Sequence, residues 1–375
     1  MTTPASPDHA EPWYLLGAGN MGLLAAHYLQ RAGFTVIALR RDHMPILERT
    51  LILPNGDPVS LQLRCQRPPA SETEPLVGAG PARERERSCA SGPRPRKASE
   101  ACRQHPRARS NDSTNNVSGI PPAGSAGLSR AGPAPTRPAP IRRLVVACKA
   151  PFSAAALGGL PLAADATVLR LQNGLGSLDG LLPAGARRVE VVSASAVKRD
   201  GDAHRVVAEN DTWMGESGAP GGPGTGATEP PAWFGTLAGH WPKLHWPRDF
   251  RHRQWRKLVG NAVINPLTGL HDVANGHIFE DPALAAEAEQ LAREADRVLT
   301  ALDPTWPGDS LPGVRALAEA TAGNTSSMRA DMQAGAVTEI DAINGWLLRQ
   351  AEALGIPLPA HCRIIVAVHA RHPEL

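Results

Sequence analysis

Aromatic residues are scarce, 4% of 375 residues, and the most basic stretch of the chain contains none. Base stacking therefore has no platform there, and a net charge of +3 is too small to imply nucleic-acid binding by the chain as a whole. Cysteine is also sparse. Cys65, Cys89, Cys102, Cys148 and Cys362 are odd in number and form no CxxC pair, so neither a disulfide framework nor a zinc site follows, and no metal is expected. No run of about 18 apolar residues occurs, which excludes a transmembrane helix. The N-terminal MTTPASPDHAEPW is polar and has no apolar signal core, so the expected compartment is the cytoplasm, with no membrane partner.

Proline is abundant instead. The 36 Pro are about twice the usual share of roughly 5%. Segment 76–140 holds 10 of them with 7 Gly, and it carries 11 Lys and Arg against 4 Asp and Glu, a local charge of +7. Such a composition buries too little apolar surface to offset chain entropy, which predicts a disordered insertion. The same Arg/Pro/Ala/Gly/Ser bias is that of translated GC-rich non-coding sequence, so an insertion and a gene-model artefact both stay open. Without the segment the chain has 28 basic and 32 acidic residues, a net of −4.

The first ordered element is the apolar run Trp13–Leu16, which leads into Gly17-Ala18-Gly19-Asn20-Met21-Gly22. LLAAHYLQRAG then has helical spacing and a Gly33 stop, and FTVIALRR reads as a second strand. Strand, glycine turn, helix and strand in about thirty residues make a βαβ unit of a parallel, doubly wound sheet. IRRLVVACKA, ATVLRLQNGLG and RRVEVVSASAVKRDG supply further strands, and SGAPGGPGTGATEPP (217–231) a loop. From Phe250 the spacing turns helical. The expected organisation is a flexible stretch 1–12, a Rossmann-type α/β domain 13–249 interrupted by 76–140, and an all-α domain 250–375.

In the GxGxxG turn, Gly17 permits the tight bend, Gly19 lets backbone approach a pyrophosphate, and Gly22 allows close helix–strand packing. The pyrophosphate would rest on amides at the helix N-terminus. At the end of the second strand stand Arg40-Arg41 rather than an acid, which suits a 2′-phosphate and favours NADPH; Asp42 follows immediately.

Three polar clusters interrupt the helical third. Lys257, Asn261 and Asn265 recur every four residues and share one helix face, fit to hold a carbonyl oxygen while a proton is delivered. A snorkelling surface lysine fits the same spacing. Asn324-Thr325-Ser326-Ser327-Met328 breaks two helices, and twelve residues beyond Ser327, Glu339 opens another, where an acid also favours the helix dipole. Asn275-Gly276 reads as a turn.

Taken together, GAGNMG, CKA at 148–150, LQNGLG at 171–176, WRKLVGNAVINPLTGL at 255–270, ANGHI at 274–278 and NTSSMRADMQAGAVTEIDAINGWLL at 324–348 resemble the ketopantoate reductase family. The resemblance runs in order from Trp13 to about Val368 and skips 76–140. It implies a Rossmann domain followed by a helical domain like the C-terminal one of 6-phosphogluconate dehydrogenase. It also implies NADPH-dependent reduction of 2-dehydropantoate (ketopantoate) to (R)-pantoate for pantothenate and coenzyme A, by a monomer or homodimer. By position, Lys257 is then the general acid and Glu339 its partner. Asn261, Asn265 and Asn275 would contact substrate, and Ser327 its carboxylate. Lys149 and Asn173 would join Gly17–Gly22 and Arg40 on the cofactor. After Lys149 the chain has Ala-Pro-Phe-Ser where the family usually has a polar or aromatic pair, which removes support for Phe152 and Ser153 as site residues. A reductase of another 2-keto acid, and a non-catalytic NADP(H)-binding sensor, are the competing readings; a sensor needs none of Lys257, Ser327 and Glu339.

Overall fold

A computed structural model describes residues 11–68, 139–216 and 229–371. The 76–140 segment, apart from its last two residues, lies outside them, as do residues 1–10 and most of the 217–231 patch.

The chain enters β1 (Trp13–Leu16), turns through the glycines into α1 (Asn20–Arg31) and returns as β2 (Val36–Leu39). A hairpin follows, β3 (Ile46–Ile52) and β4 (Pro58–Gln66). Next come β5 (Ile141–Val146), the short α2 (Ser153–Leu157), β6 (Leu162–Arg170) and β7 (Arg187–Ser193). A second hairpin, β8 (Ala196–Asp200) and β9 (Ala203–Ala208), precedes β10 (Thr212–Gly215), α3 (Ala232–Ala238) and β11 (Leu244–His245). The central order β4-β2-β1-β5-β6-β7 is parallel throughout, which makes the expected doubly wound sheet.

The flanks differ from expectation. β3 and β8 pair antiparallel with their hairpin partners, and β10 runs antiparallel to β7. RRVEVVSASAVKRDG, read as one strand, divides into β7 and β8 across Ala194 and Ser195. Two residues span only about 7 Å, yet β8 ends the strand order far from β7, so the β8–β9 hairpin folds back over α1, which it touches.

Alternation assigns the two sheet faces. Leu15, Val145 and Leu169 enter one core with Leu23, Leu24, Tyr28 and Leu29 of α1, while Leu16, Leu144, Val146 and Val168 enter the opposite one. Both faces of the central strands β1, β5 and β6 are therefore dry, as parallel sheets require.

From Phe250 the chain is helical: α4 (Phe250–His271), α5 (His277–Glu280), α6 (Pro282–Leu302), α7 (Ser310–Ala320), α8 (Ser327–Gln333), α9 (Ile340–Leu354) and α10 (Pro359–Arg371). Val259, Val263 and Leu267 of α4 pack in one core with Leu291 and Ala295 of α6 and Ile343 and Leu347 of α9. Pro266 sits inside α4 and has no N–H, so the carbonyl of Ala262, four residues earlier, loses its helical donor. Asn344 of α9, fully buried, donates its Nδ2 to that oxygen at 2.8 Å. Asn344→Ala should leave a buried carbonyl unpaired beside a small void and cost about 2–4 kcal/mol. A urea-unfolding midpoint unchanged from the parent would contradict this.

Candidate active site

The glycine turn is shaped by its neighbour strand. Gly17 has φ +100°, and a Cβ there would lie 2.2 Å from the Cys148 amide nitrogen, so only glycine fits. A Cβ at Gly22 would come just as close to the Gly17 carbonyl. Gly19 is different: a Cβ would meet nothing within 4 Å. It stands at the N-cap of α1 with no side-chain cap, and no acid occupies the first turn, so the amide end of the helix faces open space. Ala18 and Met21 pack into the core beneath. The Asn20 Oδ1 lies 2.7 Å from Nδ1 of His204, on β9. The pairing of Leu16 with Leu39 brings Arg40 alongside Gly17, where its Nε and Nη2 donate to Asp42.

A second cluster forms where the sheet meets the helical domain. Glu339 stands at the N-cap position of α9 and is buried; its Oε1 accepts from the Ala150 amide at 3.1 Å and its Oε2 from Asn173 Nδ2 at 2.8 Å. Burial raises its pKa, opposed by the Asn173 and Ala150 hydrogen bonds. Asn173 reaches this position because Gly174, at φ +68°, sets its Cα against α9: a Cβ would lie 2.1 Å from the Ala342 carbonyl, which accepts from the Leu175 amide. Lys149 is bound across the same junction, its Nζ 2.7 Å from Asp331 Oδ1 and 2.9 Å from the Val337 carbonyl. Ser153 is buried and accepts from Gln172, while Phe152 is exposed.

Along α4 run Lys257, Asn261 and Asn265, one helical turn apart. Lys257 Nζ donates to the Ser193 carbonyl at the end of β7 (2.8 Å), and its other two donors have no acceptor among the described residues. Neither carboxamide has a side-chain partner among the described residues, although Asn265 is buried. Enclosure lowers the Lys257 pKa to about 8; the Glu339 charge opposes that fall and the Arg170 charge adds to it. At the far end of the stripe, Thr268 bonds Ser326, the buried cap of α8. Ser327, the first residue of α8, is exposed. Asn275 is tied to the same corner: its amide donates to the Asn324 carbonyl and its Nδ2 to Thr321, while its buried Oδ1 has no partner among the described residues. Asn173 and Glu339 thus meet through a hydrogen bond, and Lys149 is held nearby by Asp331 and the Val337 carbonyl. Lys257, Asn261 and Asn265 are brought together by helical spacing, and Asn275 and Ser327 stand beyond Thr268. Arg40 and the glycine turn lie beside β1, with Gly17 against Cys148, the neighbour of Lys149.

Sequence reading missed what holds these groups. Arg170, 2% exposed, donates Nη1 to Glu190 (2.8 Å), Nη2 to the Gly174 carbonyl (2.8 Å) and Nε to Ser177 (2.7 Å). Gln254, one turn before Lys257, donates to the same Glu190 oxygen at 3.1 Å. Ser177 donates to Gln172, which donates onward to the Cys148 carbonyl. The signal was a single charge inside each of two apolar runs, VLRL and VEVV, since a buried charge has to be paired. Among the described residues no helix is long and apolar enough to cross a membrane, and no group of His, Cys, Asp and Glu could hold a metal ion.

Glu190→Gln leaves the Arg170 charge buried with a neutral partner, and the expected loss of stability is about 3–5 kcal/mol. Guanidinium unfolding measures it; a loss under about 1 kcal/mol, the worth of an exposed pair, would show that the pair is not dry.

The family profile "Ketopantoate reductase PanE/ApbA C terminal" matches residues 249–372. A 2-dehydropantoate 2-reductase of Yersinia pestis is 33% identical over 211 residues, covering 56% of this chain and 67% of the relative. The aligned stretch spans about two thirds of the length of the curated relatives it matches. A solved PanE/ApbA family ketopantoate reductase from Ralstonia eutropha JMP134 shares the fold with a TM-score of 0.66 at 19% identity, over 96% of this chain and 98% of that one. A D-mandelate dehydrogenase in ternary structure with NADH and anilino(oxo)acetate shares it at 0.67 and 16% identity, over 96% and 98%. With its two-part fold and this sequence match, the chain belongs to the ketopantoate reductase family.

Proposed function

We propose that the chain is an NADPH-dependent 2-dehydropantoate 2-reductase, reducing the C2 ketone of ketopantoate to (R)-pantoate with Lys257 as general acid. The observation that carries this is the α4 stripe: a lysine with pKa about 8 whose other two donors have no acceptor, followed by two carboxamides with no hydrogen-bond partner, among the described residues. A protein seldom lines up partly desolvated donors and leaves them unspent unless a ligand takes them.

The residues present fit a nicotinamide dinucleotide. The open space over Gly19 and the uncapped amides of α1 suit a pyrophosphate, and Arg40 stands one strand over for the ribose phosphate. Lys149 and Asn173 lie at the ends of neighbouring strands, on the nicotinamide side of this reading. Bound NADPH supplies a hydride to the ketone carbon. As the oxygen gains charge, Lys257 passes it a proton from Nζ and is left a neutral amine, which enclosure tolerates better than the ammonium. Asn261 and Asn265 hold the substrate oxygens, and Asn275 and Ser327 its carboxylate end. Buried Glu339 orders Asn173 and, through its charge, keeps Lys257 protonated at neutral pH. The same reading gives a cytoplasmic monomer or homodimer acting on a small molecule.

Four measurements on purified protein test it. NADPH oxidation should be faster with ketopantoate than with pyruvate and other 2-keto acids; equal rates across the panel favour a reductase of another keto acid. Lys257→Ala should lower kcat by about 10²–10⁴ while nucleotide binding survives, and parental turnover would sink the assignment. Because the acid form is required, kcat should fall above pH about 8. Removing the negative charge in Glu339→Gln lowers the lysine pKa, so that limb should move to lower pH; a limb that stays in place would exclude the coupling.

The dinucleotide turn carries its own test. Gly19→Ala should keep the parental Tm and bind NADPH more weakly, because only ligand space is filled, whereas Gly17→Ala should lower Tm. Unweakened NADPH binding by Gly19→Ala would remove the turn from the cofactor site.

A further inference from the structure

Past β2 stand three charged residues in a row, Arg40, Arg41 and Asp42. Arg41 turns aside, its Nη2 donating to the Ala155 carbonyl at 3.0 Å. Arg40 is fixed at the carboxyl end of the sheet, because its amide donates to the Gln66 carbonyl at the end of β4. Its guanidinium turns one edge to Asp42: Nε donates to Oδ1 at 2.8 Å and Nη2 to Oδ2 at 2.5 Å. That edge is one of the paired-donor faces that arginine offers a phosphate bidentately. A carboxylate already fills it. The pairing holds Asp42 below the usual carboxylate range, so it stays ionised at neutral pH.

An acid past the second strand is the device of NAD sites, accepting from the ribose 2′-hydroxyl, and an arginine is the device of NADP sites. Here the two are adjacent and bonded to each other. We propose that Asp42 is a specificity-determining residue that restrains the preference for NADPH over NADH. It occupies one edge of the Arg40 guanidinium, sets a like charge against an arriving 2′-phosphate, and offers an acceptor to an unphosphorylated ribose. The proposal rests on the reading of the β1–α1 turn as a dinucleotide site. Both side chains are partly exposed, 26% for Arg40 and 44% for Asp42. An exposed pair of this kind opens for no more than about a fivefold penalty. NADPH can therefore displace the carboxylate, at a discount in affinity that NADH does not bear.

The experiment titrates the full-length chain with NADPH and NADH, and with 2′-phospho-ADP-ribose and ADP-ribose as probes that lack the nicotinamide. Asp42→Ala and Asp42→Asn should raise the NADH-to-NADPH ratio of Kd about five- to tenfold, through tighter NADPH and weaker NADH, with the two probes following. Arg40→Met should bring the parental ratio toward one. A ratio that does not move in either Asp42 variant, while both nucleotides bind, overturns the role of Asp42 alone. If the parental chain binds neither nucleotide, the reading of the turn falls and this proposal with it.

Discussion

The carbonyl of Ala262 ties together the two helices that carry Lys257 and Glu339. Pro266 strips it of its helical donor, and the one side chain that repairs it, Asn344, belongs to a different helix. That bond sits between Lys257 and Thr268 on α4 and one turn past Glu339 on α9, so it fixes the lysine and the glutamate relative to each other. The register is transmitted to the sheet by a second backbone contact. Gly174 has no Cβ to separate the β6 loop from Ala342, and Asn173 comes within 2.8 Å of Glu339 as a result. The lysine and its acid are thus placed by main-chain demands for hydrogen bonds, which are obligatory wherever water is excluded.

Three charges share the junction and oppose one another. Enclosure drives Lys257 toward its neutral form, Glu339 draws it back, and Arg170 pushes it away again. Arg170 would be ruinous unpaired, and Glu190 both neutralises it and accepts from Gln254 on the helix of Lys257. Attraction between buried charges barely repays their desolvation. What the Arg170–Glu190 pair contributes is placement: one guanidinium bonds β7, Ser177 and the carbonyl of Gly174 together. An apolar pair of equal volume would fill the space and leave the Asn173 loop without its anchor.

Much of this was legible in the chain. The GxGxxG turn between strand and helix announced the βαβ unit, because Gly17 and Gly22 stand where backbone comes too close for any side chain. The four-residue spacing of Lys257, Asn261 and Asn265 survives any packing, since a helix imposes it. Asp42 was visible as an acid behind two arginines, but not that Arg40 would close on it, because an ion pair depends on rotamers. The hairpins at 46–66 and 196–208 escaped: β4 does alternate, with Leu61 and Leu63 buried between polar residues, but β3 and β8 do so only weakly, and the β3–β9 pairing that joins the two hairpins links strands about 150 residues apart. Arg170 and Glu190 sit twenty residues apart on two non-adjacent stretches of chain. Only the strand order β6-β7 makes them neighbours, so sequence could show two buried charges but not that they answer each other.

That strand order also explains why so many expected residues fall near one edge of the sheet. Gly17, Arg40, Lys149 and Asn173 each follow the last residue of a parallel strand by one to three positions, on β1, β2, β5 and β6, and the Ser193 carbonyl that holds Lys257 ends β7. In a parallel sheet the carboxyl ends lie together, and the order reverses direction between β1 and β5, which opens a crevice there. The sheet alone can supply backbone amides and the first polar side chain of each loop. It cannot supply a proton donor at a chosen height above the crevice, because every strand stops at the same edge. A helix crossing that edge can, by advancing about 1.5 Å per residue, and on the proposed reading that is the role of α4, whose lysine lies at the β7 end. The two-part fold follows from this division of labour. On the proposed reading the strand ends cradle a dinucleotide, and the helical part brings in the groups that act on what binds beside it.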